Sequence, residues 1–588
     1  MCGILFSLSS DHHPHDQTVW NTLEDLNRKR GPDSQQLRQI DCQSYTLRFF
    51  SSVLHLRGPD TISQPLYNSV TGDILCWNGE VFNGLDVPFG VNDTQVVMEN
   101  LQKCDLASSE QDAQTIVLST ISKIEGPFAF VFWHARYSTL WFSRDCLGRR
   151  SLLWNRSANG PFMLSSVGLN NQDGSSSWEE VPANGIYVLK LDNLMNGALF
   201  DPVLIPWKHV DEQQTAGEND LILPFPRLNN QLPTEEQLAM SNTNNDDEMP
   251  LVFDDMENAI QGFTNILGEA VKRRVADVPY LQSSKSSPRI AILFSGGLDC
   301  ICLAALAHQH LPITESIDLL NVAFENPRSE MARQQQQQQQ QQSLKKTNKK
   351  KPLVIADDVK ESTRSMYDTP DRLTGKAGVK ELRLMAPDRT WNFVEINVPF
   401  EEAMAHKQRI IDLMYPLDTV MDLSIAMALW FASRGEGYID GEKYTSDSRV
   451  LISGLGADEQ LGGYSRHRDA YKRGSWEELI KETQIDVDRI STRNLGRDDR
   501  IMSDHGKEVR FPFLDTDVVR LLCKLPIHLK MDMRYERGIG EKLLLRHIAR
   551  RLKLPLASRN WKRAIQFGAK TAKMTGESRS QRGQHKLE

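Results

Sequence analysis

The sequence predicts an α/β chain of two folded parts, the first built from sandwiched sheets and the second from a parallel sheet. Three observations carry this reading. Residues 1 to about 190 hold short apolar runs such as "GDILCWNGEVF", "GPFAFVFWHA" and "STLWFSRD", bounded by Gly, Pro, Asp or Ser, which is the spacing of strands in packed sheets. From about Met256 onward strand and helix patterns alternate, as in "RIAILFSGGLDCICLAALAHQH" followed by "SIDLLNVAF", and alternation implies a parallel sheet. Between the two, after Trp207, "DEQQTAGEND" and "SNTNNDDEMP" are polar and acidic and read as linker. The expected division is therefore 1–190, a linker over 191–255, and a second domain over 256–575. A chain of 588 residues is too long for one hydrophobic core.

Composition narrows the function. Apolar residues make up 40% and charged residues 25%, with a net charge of −8. There is no basic excess of the kind a dedicated nucleic-acid binder shows. No apolar run approaches the roughly 18–20 residues of a membrane helix, and the first residues lack a secretory pattern. The eight cysteines are scattered without C-x-x-C pairs, so reduced thiols and a cytoplasmic location are expected. "RQQQQQQQQQSLKKTNKKK" cannot bury enough apolar surface to fold. A low-complexity surface insertion over about 326–360 is expected, with a nucleic-acid or nuclear-targeting role for its lysines left open. Residues 576–588 read as a disordered tail.

Taken in order, the elements raise chemical questions. "MCGILFSL" opens on Cys2 and an apolar strand; alone, Cys2 reads as a small hydrophobe near a frayed terminus. "TVWNTLEDLNRKRG" reads as a helix stopped by Gly31. The Asn-Gly of "WNGE", Asn78 and Gly79, is by itself a hairpin signal. In "AILFSGGLDC" a buried strand runs into Ser295, Gly296 and Gly297 and then a helix. Two glycines let backbone approach a phosphate, helix-start amides favour it, and Asp299 is placed to hold magnesium. "VLISGLGADEQLGGYSRH" repeats the strand-to-glycine-turn pattern, with Asp458 and Glu459 opening a helix. Acids there can be mere caps, but ligands of open α/β sheets collect beyond the carboxyl ends of the strands. Asp299 and Asp458 are the expected magnesium pair.

"MCGI", "RGPD", "WNGE", "SGGLD" and "GADE…GGY", in this order, resemble the glutamine-dependent asparagine synthetase family. "SRNLGRDDR", "DHGKEVRFPFLD" and "RGIGEKLLLR" resemble most its asparagine synthetase domain-containing branch. The resemblance implies an N-terminal αββα sandwich of the N-terminal-nucleophile, class II glutamine amidotransferase type and a C-terminal ATP-pyrophosphatase domain. It implies that Cys2, exposed by removal of Met1, attacks the glutamine amide, with the freed α-amino group as base. Asn78 and Gly79 match the oxyanion hole, Glu80 and Asp93 the residues at the glutamine amino end, and Arg57 the holder of its α-carboxylate. In the second half it implies that Mg2+ and ATP activate the side-chain carboxylate of aspartate, or of another carboxylate acceptor. Ser295, Gly296, Gly297, Asp299, Gly456, Lys542 and Arg563 match the ATP site. A homodimer is a further expectation.

The sequence departs from the family in three places. The loop ends in Cys300 where serine is usual, and a thiol is a weak donor. "SGLGADE" places Leu455 where the family has a glutamate, and Ala457 where it has serine; leucine cannot move a proton. Third, the low-complexity tract after Phe324 lengthens a connection beside the ATP site, an insertion that is thermodynamically tolerable. Apart from these, "RGPD" occurs twice, at residues 30–33 and 57–60, and the first copy is the one that fits.

Overall fold

The computed structural model describes residues 2–156, 160–170, 178–193, 200–209, 221–241, 249–280, 287–327, 365–572, 574 and 584–587. In the first part, the strands Trp178–Glu180, Leu153–Arg156, Phe162–Ser165, Gly3–Ser9, Tyr45–Val53 and Ser34–Cys42 form one antiparallel sheet in that spatial order. A second sheet runs Leu221–Ile222, Val203–Lys208, Gly185–Lys190, Thr139–Arg144, Phe128–His134, Ile74–Gly79 and Leu66–Tyr67.

Period-2 alternation decides what faces what. Ile4, Phe6 and Leu8 meet Phe49, Val131 and Phe142 between the sheets. Leu5 points the other way, onto Trp20 and Leu23 of the helix Gln17–Arg28. Helices Asp93–Leu101 and Glu110–Lys123 cover the opposite outer face through Val97, Leu101 and Val117 against Leu75 and Phe130. The four layers are an αββα sandwich, and both faces of Gly3–Ser9 are buried.

The second part is a seven-stranded sheet ordered Glu442–Thr445, Glu436–Ile439, Trp391–Val398, Ile317–Phe324, Ile290–Leu293, Val450–Ile452 and Glu508–Arg510. The last five pair in parallel and the first two form an antiparallel hairpin at the edge. Helices Asp254–Val275, Leu298–His310 and Leu543–Arg551 pack on one face, and Phe400–Met414, Val420–Arg434 and Leu495–Ser503 on the other. The chain builds outward from Ile290–Leu293 in one direction and returns to its other side with Val450–Ile452, so the strand order reverses between these two. Open sheets bind ligands at such a reversal.

Two expectations need correction. The stretch read as a linker contributes two strands to the second sheet, Val203–Lys208 and Leu221–Ile222. It then runs along the second part: Asn229 N donates to Cys523 O at 2.7 Å and Arg520 Nε to Pro224 O at 2.8 Å. The two strands are short apolar runs on either side of the polar stretch "DEQQTAGEND", and that setting hid them. The tail is also partly ordered, because Val420 N donates to His585 O at 3.0 Å and Leu587 N to Asp418 O at 2.7 Å. The glutamine and lysine tract lies outside the described residues. No helix among those described is long and apolar enough to cross a membrane.

Candidate active sites

Cys2 stands at the start of the central strand of the first sheet, 9% exposed. Its N–H donates to Asn78 Oδ1 at 3.0 Å, and Gln64 Nε2 lies 3.8 Å from its sulfur. Asn78 and Gly79 end the strand Ile74–Gly79 of the facing sheet, so the sandwich itself brings them to Cys2. Asn78 Nδ2 is buried and has no partner among the described residues. A buried unpaired amide is costly, and this one belongs to a side chain that lines the same cavity as Cys2. A Cβ at Gly79 would come within 2.7 Å of Phe128 Cβ and Pro127 O, so only glycine fits. Burial pushes the Cys2 thiol above its ordinary value, with the nearby amino terminus pulling against it.

Glu80 and Asp93 are both buried against this cavity. Asp93 Oδ2 accepts from Val81 N at 2.8 Å and Glu80 Oε1 from Arg510 Nη2 at 2.9 Å. Burial pushes both carboxyls up, against the pull of Arg510 and Arg57. Arg57 lines the same cavity, but its guanidinium is engaged: Nη1 donates to Val81 O at 2.8 Å and Nε pairs with Asp277 at 3.2 Å. It is not presented as an open fork. The cavity measures about 30 Å³, room for little more than water.

A group the sequence reading missed closes this chamber. Glu508, on the edge strand of the other half, lines it. Arg510 bridges Glu80 and Glu508, and Arg150 pairs with Glu508 at 3.0 Å. Burial opposes the charge on Glu508, yet Arg150 and Arg510 hold it down at about 2. Arg30, of the first "RGPD", donates to Cys2 O at 3.3 Å and pairs with Asp499 at 2.6 Å. The only warning in the sequence was the charged alternation in "KEVRFPFLD".

The second cavity, about 860 Å³, opens at the strand reversal. Ser295, Gly297, Asp299, Lys542 and Arg563 line it. Gly296 and Gly456 do not line it. Each has positive φ, and a Cβ would strike Thr374 backbone at 2.4 Å or Leu514 at 2.5 Å; they are glycine for the turns behind the loops. Lys542 Nζ lies 2.6 Å from Asp299 Oδ2 and 2.6 Å from Asp458 Oδ1. The two carboxylates thus converge on one cation. They supply hard oxygens, and that donor set fits Mg2+. Lys562, which the sequence reading passed over beside Arg563, pairs with Asp458. Asp371 also faces the cavity; burial pushes it up to about 7, with Arg563 pulling against it. Leu455 lines the cavity with no carboxylate in its place, and Cys300 turns its sulfur back to Gly297 O at 3.3 Å.

Known proteins bear on both halves. A family model described as glutamine amidotransferase domain matches residues 1–171, and one described as asparagine synthase matches residues 471–584. The chain is 40% identical to asparagine synthetase domain-containing protein 1 of Gallus gallus, over 100% of this chain and 99% of that one. It is 39% identical to the Homo sapiens protein of the same name, over 98% and 95%. To asparagine synthetase [glutamine-hydrolyzing] 1 of Arabidopsis thaliana it is 22% identical, over 93% and 74%. With an N-terminal-nucleophile sandwich, a parallel-sheet half and identity sustained from end to end, the chain belongs to the family of asparagine synthetase domain-containing protein 1.

Proposed function

We propose that this chain is a glutamine-hydrolysing amidotransferase of the cytoplasm that makes asparagine from aspartate at the expense of ATP. The observation that carries it is the hydrogen bond from Cys2 N–H to Asn78 Oδ1, with Asn78 Nδ2 buried and unpartnered among the described residues, in a chamber walled by Glu508 of the half that carries the ATP site.

With Met1 removed, the α-amino group of Cys2, whose ordinary pKa is about 7.7–8.0, takes the thiol proton. The sulfur attacks the glutamine amide carbon. Asn78 Nδ2 and the Gly79 N–H stabilise the oxyanion, a donor being worth about 3–4 kcal/mol. The proton passes to the leaving nitrogen, ammonia departs, and water releases glutamate from the thioester. Glu80 and Asp93 hold the glutamine amino end, and Arg57 holds the carboxylate once it is freed from Asp277. In the second cavity the Ser295 to Gly297 loop cradles phosphates, and Lys542, Lys562 and Arg563 offset the charge that builds there. Asp299 and Asp458 would hold Mg2+, which when bound neutralises phosphate charge. The acceptor carboxylate attacks the α-phosphate and pyrophosphate leaves; ammonia then attacks the acyl carbon, AMP departs and a proton is lost from the nitrogen.

Leu455 favours a second reading, in which the same chemistry amidates a carboxylate other than that of aspartate. One experiment separates them. Protein with glutamine labelled at the amide nitrogen, aspartate and Mg-ATP is followed by mass spectrometry. Label in asparagine supports the first reading. Label released only as ammonia, with aspartate untouched, sinks it and turns the search to other carboxylates.

A further inference from the structure

At the far end of the first part, three side chains of unlike chemistry point at one place. Cys104 and Asp105 lie in the turn Gln102–Leu106, and His134 ends the strand Phe128–His134. Cys104 Sγ is 3.5 Å from His134 Nε2, and Asp105 Oδ1 is 3.3 Å from the same nitrogen. One ligand atom from each lies within 4.8 Å of the others. Cys104 and His134 are buried, and Asp105 is partly exposed.

A ring nitrogen has one in-plane direction for a hydrogen bond. Two partners, Cys104 Sγ and Asp105 Oδ1, converge on it, and a single dication can take all three atoms as ligands. The spacings fit. Zinc with Zn–S of about 2.3 Å and Zn–N of about 2.0–2.1 Å at a tetrahedral angle puts sulfur and nitrogen about 3.5 Å apart. Nitrogen and a carboxylate oxygen then fall about 3.4 Å apart. A second observation points the same way: Asp105 Oδ2 is buried with no partner among the described residues. Asp73, buried nearby, accepts from Ala135 N at 2.9 Å, which places a further carboxylate to complete or orient the set.

We propose that Cys104, Asp105 and His134 form a structural site for a zinc-type dication. The thiol gives up its proton on binding, and a water or Asp73 completes four-coordination. The site would fasten the far ends of two elements that carry the Cys2 chamber. Asp93 begins the helix that runs into this turn, and Asp73 precedes the strand that ends at Asn78 and Gly79. The proposal is independent of the amidotransferase chemistry.

The test uses the full chain with Cys2→Ala, so that the terminal thiol cannot bind metal, stripped with chelator and titrated with Co2+ and then Zn2+. Expected are one equivalent of cobalt with a thiolate charge-transfer band, its displacement by zinc, and a higher thermal midpoint with zinc. Cys104→Ser and His134→Gln lose the band and the midpoint shift, and Asp73→Asn weakens affinity about 10–100-fold. Circular dichroism checks folding. Asp105→Asn, at the partly exposed position, replaces any variant that fails to fold and should likewise weaken binding. Absence of a thiolate band, or equal binding by Asp105→Asn and its parent, overturns the proposal.

Discussion

The chamber at Cys2 and the cavity at Lys542 are built to opposite plans. The first is about 30 Å³, and its polar groups are held by short hydrogen bonds and ion pairs to their neighbours, with Asn78 Nδ2 left over. The second is about 860 Å³ and lined by long cationic side chains whose partners are carboxylates. On the proposed reading, a neutral amide is cleaved by placing a nucleophile and one or two donors correctly, once the pocket has opened and Arg57 has left Asp277 to admit the substrate. A highly charged substrate needs counter-charge that can be redistributed as it binds. The contrast predicts that the two sites fail differently.

Cys2→Ala carries the largest expected effect. Glutamine-dependent turnover should fall by roughly 10³-fold or more, while turnover with free ammonia persists; loss of both would make the cysteine structural and dissolve the contrast. Lys542→Ala should cut ATP-dependent pyrophosphate release about 10²–10³-fold and leave glutamate release from glutamine intact. Separate assays of the two products check both variants.

Arg510→Ala probes the wall between the sites. It strands Glu80 and Glu508 without their shared cation, and removing one partner of a buried pair costs about 3–5 kcal/mol. A lower thermal midpoint together with weaker glutamine hydrolysis is expected; an unchanged midpoint would mean the wall is not under electrostatic load. Asp371→Asn is the smallest effect and carries a pH signature. Its folded carboxyl holds a proton up to about 7, whereas unfolded it loses it near 4. The wild type therefore loses stability as pH rises between those values. The variant should match wild type at about pH 4 and exceed it by about 1–3 kcal/mol above about pH 7. Urea unfolding at both ends of that range reads the difference, and equal stabilities throughout would contradict the buried, protonated acid.

How much of this was legible in the sequence follows the same divide. "AILFSGGLDC" announces its strand, turn and helix locally, because apolar runs and glycine turns act over a few residues. Ser295, Gly297 and Asp299 were legible for that reason and do line one cavity; Lys542, which lines it too, and Cys2, Asn78 and Gly79, which share the other, were picked out by the resemblance of their motifs. Gly296 and Gly456 look identical in sequence to phosphate-binding glycines and differ only in what packs behind them. Glu508 and Arg510 reach Cys2's chamber from a strand whose partner Glu80 is 430 residues away. No local pattern encodes such a distance. The strand Val203–Lys208 and the edge strand Leu221–Ile222 were hidden because they are short and interrupted by the polar stretch between them.

The arginines between the two halves have an evolutionary consequence. Arg30, Arg150 and Arg510 are each nearly or fully buried and find their carboxylates in, or shared with, the opposite half. The N-terminal half transplanted onto the C-terminal half of another chain would arrive with buried cations and no counter-ions. The halves are thus poor candidates for recombination, and Arg30 with Asp499, or Glu80 with Arg510, should be inherited and lost together.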